Sequence, residues 1–160
     1  MNVTITTDAS FSKTHNRGTY AFFISSNMGR MSKSGILRKK CNSPSEAEMK
    51  CILNALTFLA QQKDIFEKCK NIYVNTDSMD SIHLLQGDMK AINKYRLRPL
   101  MDKMLIPRRE VLRLFKNKKI DFRHVKGHND SSTENRSRAN VMCDNAARIE
   151  MGILIKKLEK

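Results

Sequence analysis

Short apolar runs open the chain and give way, past residue 40, to stripes spaced three and four apart. Residues 2–10, Asn-Val-Thr-Ile-Thr-Thr-Asp-Ala-Ser, are rich in β-branched side chains and read as a buried strand that ends at Asp8. Residues 11–18 read as a polar loop, 19–25 as a second strand and 34–40 as a third. Their short connections predict an antiparallel meander. The period then changes. Ser43-Pro44-Ser45-Glu46 sets a cap serine, a proline at the first helical position and a glutamate three residues after the serine, which is a capping box. Met49, Ile52, Leu53, Leu56, Leu59 and Ala60 follow as one helical stripe.

Residues 71–76 form the next predicted strand, and 78–86 a short helix. Residues 87–99 are basic and weakly periodic, a loop or a helical excursion. Residues 100–115 are helical in pattern, with Pro107 beginning or kinking the helix. The last strand spans 119–125, where His124 alternates with Ile120 and Phe122 and reads as a core or sheet-face histidine. Residues 127–135 are a polar loop, and a final helix starts at about Asn140 with Met142, Ala146, Ile149 and Ile153 as its apolar positions.

A length of 160 residues predicts a single domain, 1–160, with one real core. Lys and Arg number 30 against 16 Asp and Glu, a net +14 that favours a polyphosphate partner. The basic clusters are dispersed along the chain, so they belong to a folded surface. No apolar stretch is long enough to span a bilayer and no signal region opens the chain, so the cytoplasm is the default expectation; no interface can be nominated from the sequence, so a monomer is the default state. Cys41, Cys51, Cys69 and Cys143 form no C-x-x-C pair, which points to reduced thiols rather than a zinc site or disulfides.

Against this basic background four acids stand out, each with a plain alternative. Asp8 interrupts a buried strand, where a carboxylate needs a partner or a cation, or it starts a turn. Asp77 repeats the pattern (Thr-Asp-Ser after Thr-Asp-Ala-Ser), or it caps the following helix. Glu48 lies near the edge of the face that packs on the sheet, and helical phase alone leaves its direction open. Asp144 sits opposite the apolar positions of its helix and reads equally as a surface acid. Two neighbouring strands ending in aspartate would bring both carboxylates to one sheet edge, where strand–helix–strand folds bind ligands.

Taken together the motifs resemble ribonuclease H of the cellular type I class. Thr7-Asp8-Ala-Ser10 is similar to its first-strand motif, Glu48 with Ala55-Leu56 to its helix glutamate, and Thr76-Asp77-Ser78 to its third acid. Val125-Lys-Gly-His128 is similar to its histidine loop, and Asn140-Val-Met-Cys-Asp144-Asn-Ala-Ala147 to its last acid. The resemblance implies an α/β, ribonuclease H-like fold: a five-stranded mixed sheet, three antiparallel strands then two parallel, flanked by helices. It implies hydrolysis of the RNA strand of RNA–DNA hybrids, giving 5′-phosphate and 3′-hydroxyl ends. Asp8, Glu48, Asp77 and Asp144 would hold two Mg²⁺ ions, Mn²⁺ being possible, about 3.5–4 Å apart. Clustered carboxylates would otherwise take up protons. His128 would assist proton transfer or product departure.

Substrate contacts implied by the resemblance fall on Asn16, Ser43, Ser45, Met79 and Asn140, and on a basic handle of Lys94, Arg96 and Arg98. Ser43 has helix capping as its alternative task, and the handle has that of a solvated basic loop. The sequence departs from the pattern in Pro44 and Met79, where amide side chains are usual, and in a glycine-rich loop reduced to Gly18. The stretch between His128 and Asp144 is also longer than usual. Two other classes therefore stand beside the first: a DNA- or junction-cleaving nuclease on the same fold, and a hybrid-binding module without catalysis.

Overall fold

The β-branched run at the N-terminus forms the central strand of a five-stranded sheet. The structure is a computed structural model and describes residues 1–125 and 134–160, residues 134–137 as backbone only. In chain order the elements are β1 (Asn2–Ser12), β2 (Arg17–Ser26), β3 (Gly29–Ile36), α1 (Pro44–Gln61), α2 (Lys63–Lys68) and β4 (Asn71–Thr76). Then come α3 (Met79–Gln86), α4 (Met89–Lys94), α5 (Arg98–Leu114), β5 (Lys119–His124) and α6 (Glu134–Leu158). The strand order is β3-β2-β1-β4-β5. β1 runs antiparallel to β2, and β2 to β3; β1–β4 and β4–β5 are parallel, as the resemblance implies.

Alternation along the strands builds two cores. Val3, Ile5, Phe22, Ile24, Ile72 and Val74 pack on Met49, Ile52, Leu56 and Leu59 of α1. On the other face Ala21 and Phe23 meet Cys143, Ala146 and Ala147 of α6. Thr19 Oγ1 donates to the Ala147 carbonyl at 2.6 Å, which draws that helix close to β2. Gly18 performs the matching task under α1. A Cβ there would lie 3.0 Å from Leu37 Cδ1 and 3.1 Å from Ala47 Cβ, so glycine lets β2 pass beneath the start of α1 without displacing either side chain.

Several expectations are corrected. β1 does not end at Asp8 but continues to Ser12, because β2 keeps pairing with it through Ser12↔Arg17. The loop shrinks accordingly, and Asn16 takes a left-handed φ of 50° in the turn. β3 starts earlier than predicted, at Gly29. It is an edge strand whose exposed residues Arg30, Ser32, Lys33 and Ser34 are polar on both faces, so no apolar alternation marks it. The 87–99 stretch contains α4, and α5 continues past Pro107, which lies inside the helix and has no N–H to donate. His124 is exposed, not core, since β5 is the other edge strand.

The largest correction concerns α6, which begins at Glu134 and buries a different face. Met142, Ile149 and Ile153 are 54%, 64% and 42% exposed, whereas Cys143, Ala147, Met151 and Leu154 are buried. A helix lying close on a sheet selects small side chains at the contact, so ranking positions by hydrophobicity picks the wrong stripe. Turning the helix this way removes the argument that placed Asp144 opposite the core. No described helix is long and apolar enough to cross a membrane.

Candidate metal centre

Three elements deliver carboxylates to one point. β1 and β4 pair in parallel only from Asn2↔Asn71 to Thr6↔Asn75. Beyond that register β1 follows β2, β4 turns into α3, and a gap opens between them. Asp8 and Asp77 stand on its two sides. Ser78, not Asp77, caps α3, accepting from Ser81 N at 3.1 Å. Glu48 comes from α1, whose start is held by Ser43 Oγ accepting from Glu46 N at 3.1 Å. Glu46 Oε1 accepts in turn from Asn42 N at 3.4 Å and from Lys103 Nζ at 2.9 Å, and Glu46 Oε2 forms an ion pair with Lys50 Nζ at 2.9 Å.

One carboxylate oxygen each from Asp8, Glu48 and Asp77 lies within 4.8 Å of the others. The Ala9 amide donates to both Glu48 Oε1 at 2.7 Å and Asp8 Oδ1 at 3.0 Å, locking the two acids side by side. Glu48 is 7% exposed, and its Oε2 is buried with no hydrogen-bond donor among the described residues. Asp144 joins from α6, half-buried, with Arg148 Nε 3.2 Å from its Oδ1. These acids, with Ala9, Phe11, Pro44, Ser45, Ser78, Met79 and Asp80, line an open cleft of about 470 Å³.

Electrostatics oppose this gathering in the absence of a cation. Burial, then the charges of Asp77 and Asp144, raise Asp8 from 3.8 to about 7, against a lowering hydrogen bond with Glu48. Burial, then the charge of Asp8, push Glu48 well above its usual 4.5. The pair therefore retains a proton unless positive charge replaces it. Clustered oxygens, one of them a buried acceptor with no donor among the described residues, fit a hard divalent cation such as Mg²⁺ or Mn²⁺. The adjacent thiols are no rivals. Burial and the charges of Asp8 and Glu48 raise Cys143 to about 12, and burial also raises Cys51.

The other predicted contacts scatter. Ser45 and Met79 line the cleft. Ser43 does not, being engaged as the cap of α1. Asn16 is exposed in the β1–β2 turn, where its carbonyl accepts from Cys41 N at 2.9 Å. Asn140 is half-buried one turn before Asp144. Lys94, Arg96 and Arg98 are exposed around the α4–α5 junction and do not line the cleft, and Arg98 pairs with Asp102 at 3.4 Å. His128 lies outside the described residues.

Comparison with known proteins identifies the fold and the family. The model of one family, RNase H, matches residues 1–151. The chain belongs to the RNase H family. No curated protein matches it in sequence. Among solved structures it is similar to RNase H1 from the halophilic archaeon Halobacterium salinarum NRC-1, 17% identical, with a TM-score of 0.61 over 91% of this chain and 97% of that one. The PFV RNase H domain is 14% identical, with a TM-score of 0.66 over 94% of each chain. LC11-RNase H1, solved in complex with an RNA/DNA hybrid, is 17% identical, with a TM-score of 0.59 over 93% of this chain and 99% of that one. At these identities the likeness is one of fold.

Within this RNase H fold, sequence reading missed two groups. Asp80 lies on the cleft and accepts from Ser45 Oγ at 2.8 Å. Its only signal was a second acid three residues after Asp77. Lys103 reaches Glu46 from α5, a contact that no spacing along the chain announces.

Proposed function

We propose that this RNase H-family chain is a divalent-metal-dependent endonuclease that hydrolyses the RNA strand of RNA–DNA hybrids, leaving 5′-phosphate and 3′-hydroxyl ends. The observation that carries the reading is the convergence of Asp8, Glu48 and Asp77 within 4.8 Å on the floor of a cleft, in a chain of net charge +14. Acids at that density repel a phosphodiester unless they hold cations, and a basic exterior attracts one.

Asp8, Glu48, Asp77 and Asp144 would hold two Mg²⁺ ions, which supply activation of water and stabilisation of the leaving oxygen. The chain's part is to hold the acids ready. The Ala9 amide fixes the orientation of Asp8 and Glu48, and the Glu46 network fixes the helix that carries Glu48. Arg148 steadies Asp144 from the next turn of α6. His128 is the proposed proton carrier, on the resemblance of its Val-Lys-Gly-His motif.

One observation favours a second reading, a nuclease that cuts DNA or branched DNA on the same scaffold. Pro44 and Met79 line the cleft where sugar-reading amides are usual. A single panel decides: labelled hybrid, duplex DNA, duplex RNA and branched DNA, each with Mg²⁺ or EDTA. The proposal expects Mg²⁺-dependent cutting of the RNA strand of the hybrid and none by Asp77→Asn. Preferential cutting of DNA, or hybrid cutting that survives EDTA, contradicts it.

A further inference from the structure

The hydrogen bond between Ser45 and Asp80 spans the cleft from the first turn of α1 to the first turn of α3. Ser45 Oγ donates to Asp80 Oδ2 at 2.8 Å, and both residues line the cleft. Two features of the pair are unexpected at a site built for a polyanion. An extra carboxylate stands beside the metal-binding acids, where it repels phosphate. A serine that would otherwise offer its proton to a phosphate oxygen has already given it away. A hydroxyl carries one proton and two lone pairs, and an ionised carboxylate only accepts. With its proton held by Asp80, Ser45 presents lone pairs alone to whatever enters.

We propose that Asp80 is a specificity-positioning residue: it holds the Ser45 proton, so that Ser45 accepts a hydrogen bond from a ribose 2′-hydroxyl and has none to donate to a phosphate. The inference rests on the hybrid-hydrolysing reading and deepens it, because it names the group on the substrate that is read. Phosphate oxygens and deoxyribose carbons carry no proton for Ser45 to accept. The 2′-hydroxyl does, and it is the one group that separates RNA from DNA at a given nucleotide. A bland role for Asp80 exists, since an acid in the first turn of a helix complements the amides there. That role involves α3 alone and does not require a hydrogen bond to α1.

The test uses hybrids in which single ribonucleotides near the cleaved bond carry 2′-fluorine. Fluorine keeps a ribose-like sugar pucker but cannot donate, so it isolates the hydrogen bond from duplex shape. For the wild-type protein, one position is expected to show a KM raised about tenfold by fluorine, the value of one well-made hydrogen bond. Asp80→Ala and Ser45→Ala should each reduce that penalty to about onefold, and the double variant should reduce it no further. Asp80→Asn, close in volume, should leave a penalty of about threefold, because a neutral acceptor holds the proton less firmly. Asp80→Glu should restore most of it.

A wild type that cuts no hybrid overturns the substrate reading, and this inference with it. A wild type that cuts hybrid, with the fluorine penalty unchanged in Asp80→Ala and Asp80→Asn, overturns this inference alone. A shift in Mg²⁺ half-saturation with no change in the penalty does the same, since it makes Asp80 a metal ligand instead.

Discussion

Without metal, the protein should lose stability as pH rises from 5 to 8, and the loss should trace to Asp8. Its folded pKa of about 7 lies above the 3.8 of an unperturbed aspartate, so the folded state binds the proton more tightly than the unfolded chain does. The associated stability is complete below about pH 4 and is gone above about pH 7. A displacement of that size corresponds to at most about 4 kcal/mol, of which roughly 2–3 kcal/mol falls between pH 5 and 8. Glu48, also raised, acts with the same sign.

The assay is urea unfolding in EDTA across this range, for the wild type and Asp8→Asn. With a slope of about 1–3 kcal/mol per molar urea, the wild-type midpoint should fall by roughly 1–2 M more than that of Asp8→Asn, which cannot titrate at this position. Saturating Mg²⁺ should flatten the wild-type curve, because a cation bound only to the folded state replaces the proton. Parallel pH profiles for wild type and Asp8→Asn would refute the reasoning.

Glu46→Ala should cost about 2–3 kcal/mol in chemical denaturation, because Lys50 and Lys103 lose a buried partner and α1 loses part of its cap. It should weaken Mg²⁺ binding as well, since the start of α1 carries Glu48. Gly18→Ala should cost about 1–3 kcal/mol by crowding Leu37 and Ala47. The same scan should show Ile149→Ala near neutral, as its exposed position on α6 implies. Replacing Lys94, Arg96 and Arg98 together by alanine should weaken hybrid binding and flatten its salt dependence by up to about three phosphate contacts; an unchanged salt slope removes the handle.

Legibility in the sequence followed how local each cause was. The start of α1 was readable because capping is decided within four residues, and Glu46 does bond back towards the helix start, at Asn42. β4 was readable because Ile72, Tyr73 and Val74 form a β-branched and aromatic run, although Asn75 and Thr76 at its end are buried too. β3 was not, since an edge strand need not alternate. The contact face of α6 was misread because close approach to a sheet rewards Cys143 and Ala147 over Met142 and Ile149. Asp8, Glu48 and Asp77 were visible as motifs, but their meeting depends on where β1 and β4 part, a matter of register that no local pattern states. The Ser45–Asp80 bond is another such case, joining residues 35 apart through two helix ends.

The most direct test of the central claim is anomalous diffraction from crystals grown with Mn²⁺. Two peaks about 3.5–4 Å apart are predicted, ligated by oxygens of Asp8, Glu48, Asp77 and Asp144. A cleft with no peak at saturating Mn²⁺, or ions bound only elsewhere on the molecule, would contradict it.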